Sequence, residues 1–366
     1  MNKKVCHITS AHSRYDVRIF VKECVSLAKN GYDVTLIVND NDPDEINEGV
    51  KIISTKFKPK NRLERFFNSK KLLLSKALEV DADIYHFHDP DLLPLGNKIK
   101  KMGKKVVFDS HEDVPMQIMD KTWIPKMLRG CIAKIYTIYE KDSLRSYDAV
   151  ISVTPHVVER LLKINSNTVM VTNYPIVDFE SNISKKPNNS ICFAGGISDQ
   201  WCHDKIIKAL EKINDVEYII AGIGTKEYMD LLQSLPGWNK VKYVGKVPHM
   251  EVKSIYDKSI VGMALNYSNQ VKGEGTLGNT KLFEFMAAGL PVICTNYRLW
   301  KEIVEGNNCG ICVNPNDIDE ITKAIRCLLD NPEEAKIMGE NGRKAAIEKY
   351  NWGTQETVLL SLYGKL

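Results

Sequence analysis

Residues 273–296, GEGTLGNTKLFEFMAAGLPVICTN, hold the densest set of groups able to do chemistry. Gly273, Gly275 and Gly278 leave a loop whose backbone a ligand can approach closely. The apolar spacing that follows predicts a helix over Lys281–Ala288, whose first amide groups and positive dipole end make an anion site. Lys281, in the first turn, adds a point charge suited to a diphosphate. Glu284, one turn on, faces the same way and can accept hydrogen bonds from a ribose diol. Gly289 ends the helix and Pro291 forbids its extension.

A second set lies near the start. SAHSRYDVRIFVKE, residues 10–23, is a polar turn between an apolar run and a helical pattern, where an α/β enzyme places substrate contacts. His12, Arg14, Asp16 and Arg18 are candidates for the hydroxyls or phosphate of an acceptor, and Asp16 suits the N-cap of the following helix equally well. Two further apolar runs end in histidine: YHFHDPD with His86, His88, Asp89 and Asp91, and FDSHED with Asp109, His111, Glu112 and Asp113. These residue types can bind metal, but both groups stand at strand ends without the spacing of a zinc motif. No metal and no cofactor are expected.

The elements that must position these groups alternate along the chain. Strands are predicted at Val5–Thr9, Val34–Val38, Ile52–Thr55, Asp83–Phe87, Lys105–Asp109, Ala149–Val153 and Val169–Thr172, with helices such as Val17–Lys29 and Pro125–Ser146 between them. Polar, turn-rich residues 177–190 read as a linker. The alternation resumes with Ile191–Ala194, Glu217–Ala221, Val241–Val244, Val261–Leu265, Pro291–Thr295 and Gly310–Val313. Runs apolar on both faces and separated by helices imply parallel sheets covered on both sides. The expectation is an α/β chain of two doubly wound domains, residues 1–176 and 191–352, facing across a cleft that holds the active site.

At 366 residues the chain exceeds what one core usually serves. A net charge of +4 is too small to argue for nucleic acid, and none is expected as a partner. The nine cysteines read as reduced, mostly buried thiols, with Cys192, Cys294 and Cys312 in apolar runs. The apolar stretch after the basic start is broken by His7 and Thr9, too short for a signal peptide. No run reaches the length of a membrane span, so a cytoplasmic protein is expected.

The stretch KLFEFMAAGLPVI resembles the nucleotide-sugar motif of retaining glycosyltransferases of the GT-B fold, in glycosyltransferase family 4, also called glycosyl transferases group 1. Supporting segments follow the family order. FAGGIS (Phe193–Ser198) resembles the first glycine loop, and IIAGIG (Ile219–Gly224) and YVGKVP (Tyr243–Pro248) resemble the two later strand ends, the second of which flanks the base. YNW (Tyr350–Trp352) resembles the segment before a final helix, 353–366, that crosses back onto the first domain.

The resemblance implies two Rossmann-like domains and a donor site of Gly195, Gly196, Gly222, Gly224, Val247, Glu274, Gly275, Thr276, Asn279, Thr280, Lys281, Leu282 and Glu284. It makes Glu284 the ribose ligand, Lys281 a catalytic stabiliser of the diphosphate, and His111 the histidine near the reacting sugar. His12, Arg14, Asp16, Arg18 and His88 fall to the acceptor, because residues 10–23 look like the opening of bacterial capsule and lipopolysaccharide glycosyltransferases.

The chain departs from the family twice. A second Glu is replaced by Thr276, leaving Glu274 as its candidate substitute. The basic residue after the first glycine loop is missing, leaving His203 or Lys205 to take over. The implied activity is transfer of a sugar, with retention, from a UDP- or GDP-sugar to a saccharide or lipid-linked acceptor in surface polysaccharide synthesis. An epimerase-like enzyme and a non-catalytic partner subunit are the alternatives.

Residues 56–76, KFKPKNRLERFFNSKKLLLSK, carry eight Lys or Arg and one Glu beside Phe57, Phe66 and Phe67. A solvated helix face accounts for this composition. Docking on an anionic membrane surface accounts for it too, with Trp123 and Met127 as a second contact, and would place the protein peripherally on the inner face of the cell membrane.

Overall fold

The computed structural model describes residues 2–61, 64–111, 113–121, 124–177, 189–267 and 273–366. Arg62, Glu112, Trp123 and most of the expected linker lie outside the described residues, as do the side chains of Phe66 and Phe67. The chain divides into two compact units, Met1–Asn173 with Trp352–Leu366, and Tyr174–Asn351.

The first unit is built on eight strands: β1 (Lys4–Ile8), β2 (Asp33–Val38), β3 (Glu45–Asn47), β4 (Val50–Ser54), β5 (Ile84–Phe87), β6 (Lys105–Ser110), β7 (Ala149–Ser152) and β8 (Thr168–Met170). Their order is β3-β4-β2-β1-β5-β6-β7-β8, and only the β3–β4 pair among them is antiparallel. β3 was not expected, because three half-polar residues at a sheet edge carry no hydrophobic period. The central strands are buried on both faces, as their continuous apolar runs require. The direction of winding reverses between β1 and β5, so the turns after these strands mark the switch point where such sheets bind ligands.

The segment expected as one regular helix over Val17–Lys29 begins as a π-helix, Val17–Cys24, and continues as α-helix over Val25–Lys29. Val21 N–H donates to Asp16 O, five residues back. Winding at this period brings residues five apart onto one face, and Arg18 and Glu23 are both buried on the sheet side. The final helix, Trp352–Gly364, belongs to this unit: Trp352 Nε1–H donates to Ser26 Oγ at 2.9 Å, and Thr172 N–H donates to Gln355 Oε1 at 2.8 Å.

The second unit carries β9 (Ser190–Ala194), β10 (Glu217–Ala221), β11 (Val241–Gly245), β12 (Val261–Ala264), β13 (Val292–Thr295) and β14 (Gly310–Val313), all parallel, in the order β11-β10-β9-β12-β13-β14. That is the strand order of a dinucleotide-binding sheet, with its switch point between β9 and β12. Cys309 and Cys312 stand at C-x-x-C spacing, and Cys294 Sγ lies 3.5 Å from Cys312 Sγ across β13–β14; all are free thiols.

Candidate functional site

In the second unit the helix after the glycine loop runs over Thr280–Ala287, one residue earlier than expected. Asn279 caps it, its side-chain oxygen accepting from Lys281 N–H at 3.1 Å. Gly289 sits at φ 65° and closes the helix, with Leu290 N–H bonded to Phe285 O. The inner face of Leu282, Phe283, Phe285 and Met286 is buried. Gly262 makes that depth possible, since a Cβ there would lie 2.2 Å from the Phe285 ring. Packing therefore fixes where the helix begins, and with it the direction of the amides of its first turn.

The loops after β9 and β10 are stitched to each other. Gly195 N–H donates to Ala221 O, Ile197 N–H to Ile223 O, and Gly222 N–H to Gly245 O. Gly222 has φ 144°, and a Cβ on it would stand 1.7 Å from Gly195 O, so no other residue fits. A Cβ on Gly195 would lie 3.0 Å from Lys281 Cε, which puts the lysine stem directly beside the first glycine loop. Lys281 Nζ donates to Glu284 Oε2 at 2.6 Å, and Tyr256 OH donates to the same oxygen at 3.0 Å. Burial pushes the Glu284 carboxyl up, but the Lys281 charge and hydrogen bonds from Lys281, Thr280 and Tyr256 outweigh it and hold the group below its ordinary value.

The structure thus brings together Gly195, Gly222, Lys281 and Glu284. Thr276 accepts Gly278 N–H and, through its carbonyl, Trp300 Nε1–H. The Leu282 side chain lies in the core, so only its backbone can meet a ligand. Gly196, Gly224 and Val247 stand in the loops after β9, β10 and β11. Glu274 is exposed and tied to Arg298 at 2.6 Å, in the same loop as Gly275.

His203 does not replace the missing basic residue. It is fully buried, its Nδ1 pairs with Tyr218 OH at 2.9 Å, and burial pushes its pKa down to about 3, so the ring is neutral. Lys205 is paired with Asp204 at 3.3 Å.

In the first unit the turns after β1, β5 and β6 converge. His12 Nδ1 lies 3.3 Å from Asp89 Oδ1, and Asp89 also accepts from Thr9 Oγ1 and Ser10 N–H. The His12 and His111 ring centroids are 5.4 Å apart, and His88 stacks on His111 at 5.4 Å. His111 Nδ1 is 3.5 Å from Asp109 Oδ2, beyond a good hydrogen bond, and neither of its ring nitrogens has a hydrogen-bond partner among the described residues. Burial pushes His111 down to about 3, against the pull of Asp109, and leaves a neutral imidazole at the switch point.

The two arginines and Asp16 have structural partners. Arg14 is held by Asp40 at 2.8 Å and 2.9 Å and by Glu45 at 2.7 Å, clamping β3 to the end of β2. Arg18 is buried and forks onto Asp109 at 2.8 Å and 3.0 Å, with a third bond to Val171 O. Asp16 caps the π-helix, accepting from Arg18 N–H and Ile19 N–H. Sequence reasoning passed over His7, Glu23 and Tyr363, all buried against this same cluster. His7 was visible as a polar break in an apolar run, but its meeting with Glu23 and Tyr363 emerged only once the strands and helices were assembled.

Two family models match the chain: "Glycosyl transferases group 1" over residues 177–345 and "Glycosyltransferase Family 4" over residues 18–180. The chain is 34% identical over 83 residues to the MMP alpha-(1->4)-mannosyltransferase of Mycolicibacterium hassiacum, covering 22% of this chain and 20% of that protein. The first curated relatives are matched over less than half of their own length. Among solved structures it is similar to Anabaena HepE in complex with UDP and glucose, with a TM-score of 0.71, 13% identity and 100% of each chain covered. It is also similar to WaaG, a glycosyltransferase involved in lipopolysaccharide biosynthesis, with a TM-score of 0.73, 13% identity, 98% of this chain and 100% of that one.

Proposed function

The chain belongs to the glycosyl transferases group 1 family, with the GT-B fold, and on that premise we propose that it moves a sugar from a nucleoside diphosphate donor to a saccharide or lipid-linked acceptor of bacterial surface polysaccharide synthesis. The observation that carries the reading is the Lys281–Glu284 pair beside Gly195 at the capped start of a buried helix. In the proposed donor complex the diphosphate takes over Lys281 and the free amides of the helix start, while the ribose hydroxyls donate to Glu284. The leaving diphosphate gains charge as the glycosidic bond breaks, so the helix dipole and Lys281 stabilise the transition state more than the ground state. Retention follows if the acceptor hydroxyl attacks from the face the diphosphate leaves, its proton passing to a phosphate oxygen. The protein then contributes positioning and electrostatics, with the neutral His111 imidazole as a hydrogen-bonding group beside the reacting sugar. HepE, solved with UDP and glucose, supports a uridine nucleotide as the first donor to test.

A membrane surface is the proposed site of work. The helix Lys126–Leu144 leaves Met127, Leu128, Ile132, Ile135, Ile138 and Tyr139 exposed, alongside exposed Lys126, Lys134 and Lys141. An apolar stripe edged by lysines suits the interface of an anionic lipid bilayer. No helix among the described residues is long and apolar enough to cross a membrane, so the contact would be peripheral.

A panel of UDP- and GDP-sugars, screened by thermal shift and then by radiolabelled transfer, tests the activity. A stabilising donor and a labelled acceptor product are expected. A nucleotide-sugar converted without acceptor would point instead to an epimerase-like reaction.

A further inference from the structure

Behind the switch point of the first unit, His7 on β1, His86 and His88 at the end of β5, and Glu23 on the π-helix meet in the interior. All four are fully or almost fully buried, and one donor atom from each lies within 4.8 Å of the other three. His7 Nδ1 and His88 Nε2 share a hydrogen bond of 2.9 Å, and that separation is close to the roughly 3.3 Å between two ligands of one tetrahedral ion with bonds of about 2.0–2.1 Å, so an ion would replace the shared proton.

The surroundings have the form of a shell around ligands. Tyr363 OH bonds His86 Nδ1 at 2.8 Å and lies 3.4 Å from His7 Nε2, while Asp109 Oδ2 lies 3.6 Å from His88 Nδ1. An outer hydroxyl partner such as Tyr363 fixes ring orientation in metal sites, while Asp109 stands too far from His88 Nδ1 for a hydrogen bond. His86 Nε2 has no hydrogen-bond partner among the described residues.

Glu23 is the decisive residue. It has 0% exposure, yet neither carboxylate oxygen has a hydrogen-bond partner among the described residues. Arg18 Nε is 3.1 Å away, but the Arg18 fork is donated to Asp109 and Val171. Two buried carboxyl groups therefore share one guanidinium, and Glu23 is left as a fully buried polar group without a hydrogen bond of its own among the described residues. The π-helix deepens the puzzle, because an ordinary α-helix would turn Glu23 away from the face that Arg18 occupies.

We propose that His7, Glu23, His86 and His88 form a binding site for a single divalent cation of the zinc class. Three imidazoles and one carboxylate are a zinc donor set, and four protein ligands with no open position make a structural rather than a catalytic centre. An ion here would cross-link β1, β5 and the π-helix, and through Tyr363 the C-terminal helix. It would fix His88, whose ring stacks on His111. The site stands apart from the donor residues and does not rest on the proposed reaction.

The test is metal analysis of the intact chain, expressed in zinc-supplemented medium and dialysed against metal-free buffer. About one zinc per chain is expected, with cobalt in its place giving the intense visible bands of a four-coordinate cobalt(II) site. Glu23→Gln and His86→Gln should each lose the stoichiometric metal, whereas Glu274→Gln, in the other unit, should keep it. Wild-type protein that holds no metal and gives no such bands with cobalt would overturn the proposal. So would zinc that Glu23→Gln retains in full. The wild-type cobalt spectrum decides the matter even if both variants fail to fold.

Discussion

Lys281 Nζ and Glu284 Oε2 meet at 2.6 Å, three residues apart on one helix face, so the base and the acid that would hold a nucleotide neutralise each other. The consequence is a pH dependence with a definite sign. Lys281 helps to hold the Glu284 carboxyl below its ordinary value against the upward push of burial. Nucleoside diphosphate binding should therefore persist as pH falls until Glu284 protonates, below its unperturbed value of about 4.3. In Lys281→Met the acid limb should move to higher pH while maximal affinity also drops. Calorimetric titrations from pH 4 to 8 check this, and an unmoved acid limb would show that the lysine does not govern the carboxylate.

Removing the carboxylate should cost more than removing its hydroxyl neighbour. Glu284→Ala should weaken nucleoside diphosphate binding by about 1.5–3 kcal/mol, as expected for a charged hydrogen bond. Tyr256→Phe removes one bond to the same oxygen and should cost no more than about 1.5 kcal/mol. Equal losses by calorimetry would mean that Glu284 serves the helix rather than the ligand.

The geometry of the donor site proposed for the second unit rests on local signals in the sequence: loop, cap, lysine, glutamate and stop signal lie within residues 273–296, and each acts on near neighbours. His203 misled because a polar residue just after a glycine loop reads as surface, whereas it packs on Phe193 and pairs with Tyr218, fifteen residues on. The polar cluster of the first unit was legible only in part. The histidines at the ends of β5 and β6 were visible, but Arg18 meets Asp109 across 91 positions and His7 meets His88 across 81. Contacts of that range leave no periodic trace. The π-helix escaped for a related reason, since its wider winding follows from the shared burial of Arg18 and Glu23 and not from any helical propensity.

His203 gives a stability prediction. Its folded-state pKa is pushed down to about 3 by burial, against about 6.5 in the unfolded chain. Below pH 6.5 the unfolded chain binds one more proton at this residue. This single group should therefore lower stability by about 1.4 kcal/mol per pH unit as pH falls from about 6.5 toward 3. His203→Gln keeps a partner for Tyr218 OH and removes the titration. Denaturant unfolding at pH 7, 6 and 5 should show a shallower decline for the variant, and parallel declines would exclude the linkage.

At the switch point of the first unit, His111 carries no side-chain hydrogen bond to any of the described residues that its loss would break. His111→Ala should then lower kcat by at least tenfold while leaving nucleotide affinity, held by the other unit, unchanged. His111→Gln, which keeps a hydrogen-bonding group, should recover part of the rate. A change confined to melting temperature would make the residue a packing element.

Membrane association is the prediction that the assembled structure relocates. Within residues 56–76, Arg65 lies 3.9 Å from Asp91 with its Nε buried, so reversing its charge would disturb the end of β5 as well as any surface. The exposed stripe of Lys126–Leu144 offers cleaner substitutions: Leu128 is 52% and Ile135 62% exposed, and Lys126, Lys134 and Lys141 are exposed beside them. Each lysine near an anionic surface contributes about 1 kcal/mol, and the attraction should fade as added salt shortens the Debye length from about 10 Å to about 3 Å. Wild-type protein should pellet with anionic vesicles at low salt and be mostly released at high salt, with little binding to neutral lipid. The triple variant Lys126→Glu, Lys134→Glu, Lys141→Glu should stay in the supernatant, and Leu128→Gln with Ile135→Gln should weaken the salt-resistant remainder. Both should bind nucleotide as the wild type does, because every substituted residue lies outside the unit that carries Lys281 and Glu284. Equal pelleting with neutral and anionic vesicles, or none with either, would return the stripe to an ordinary solvated surface.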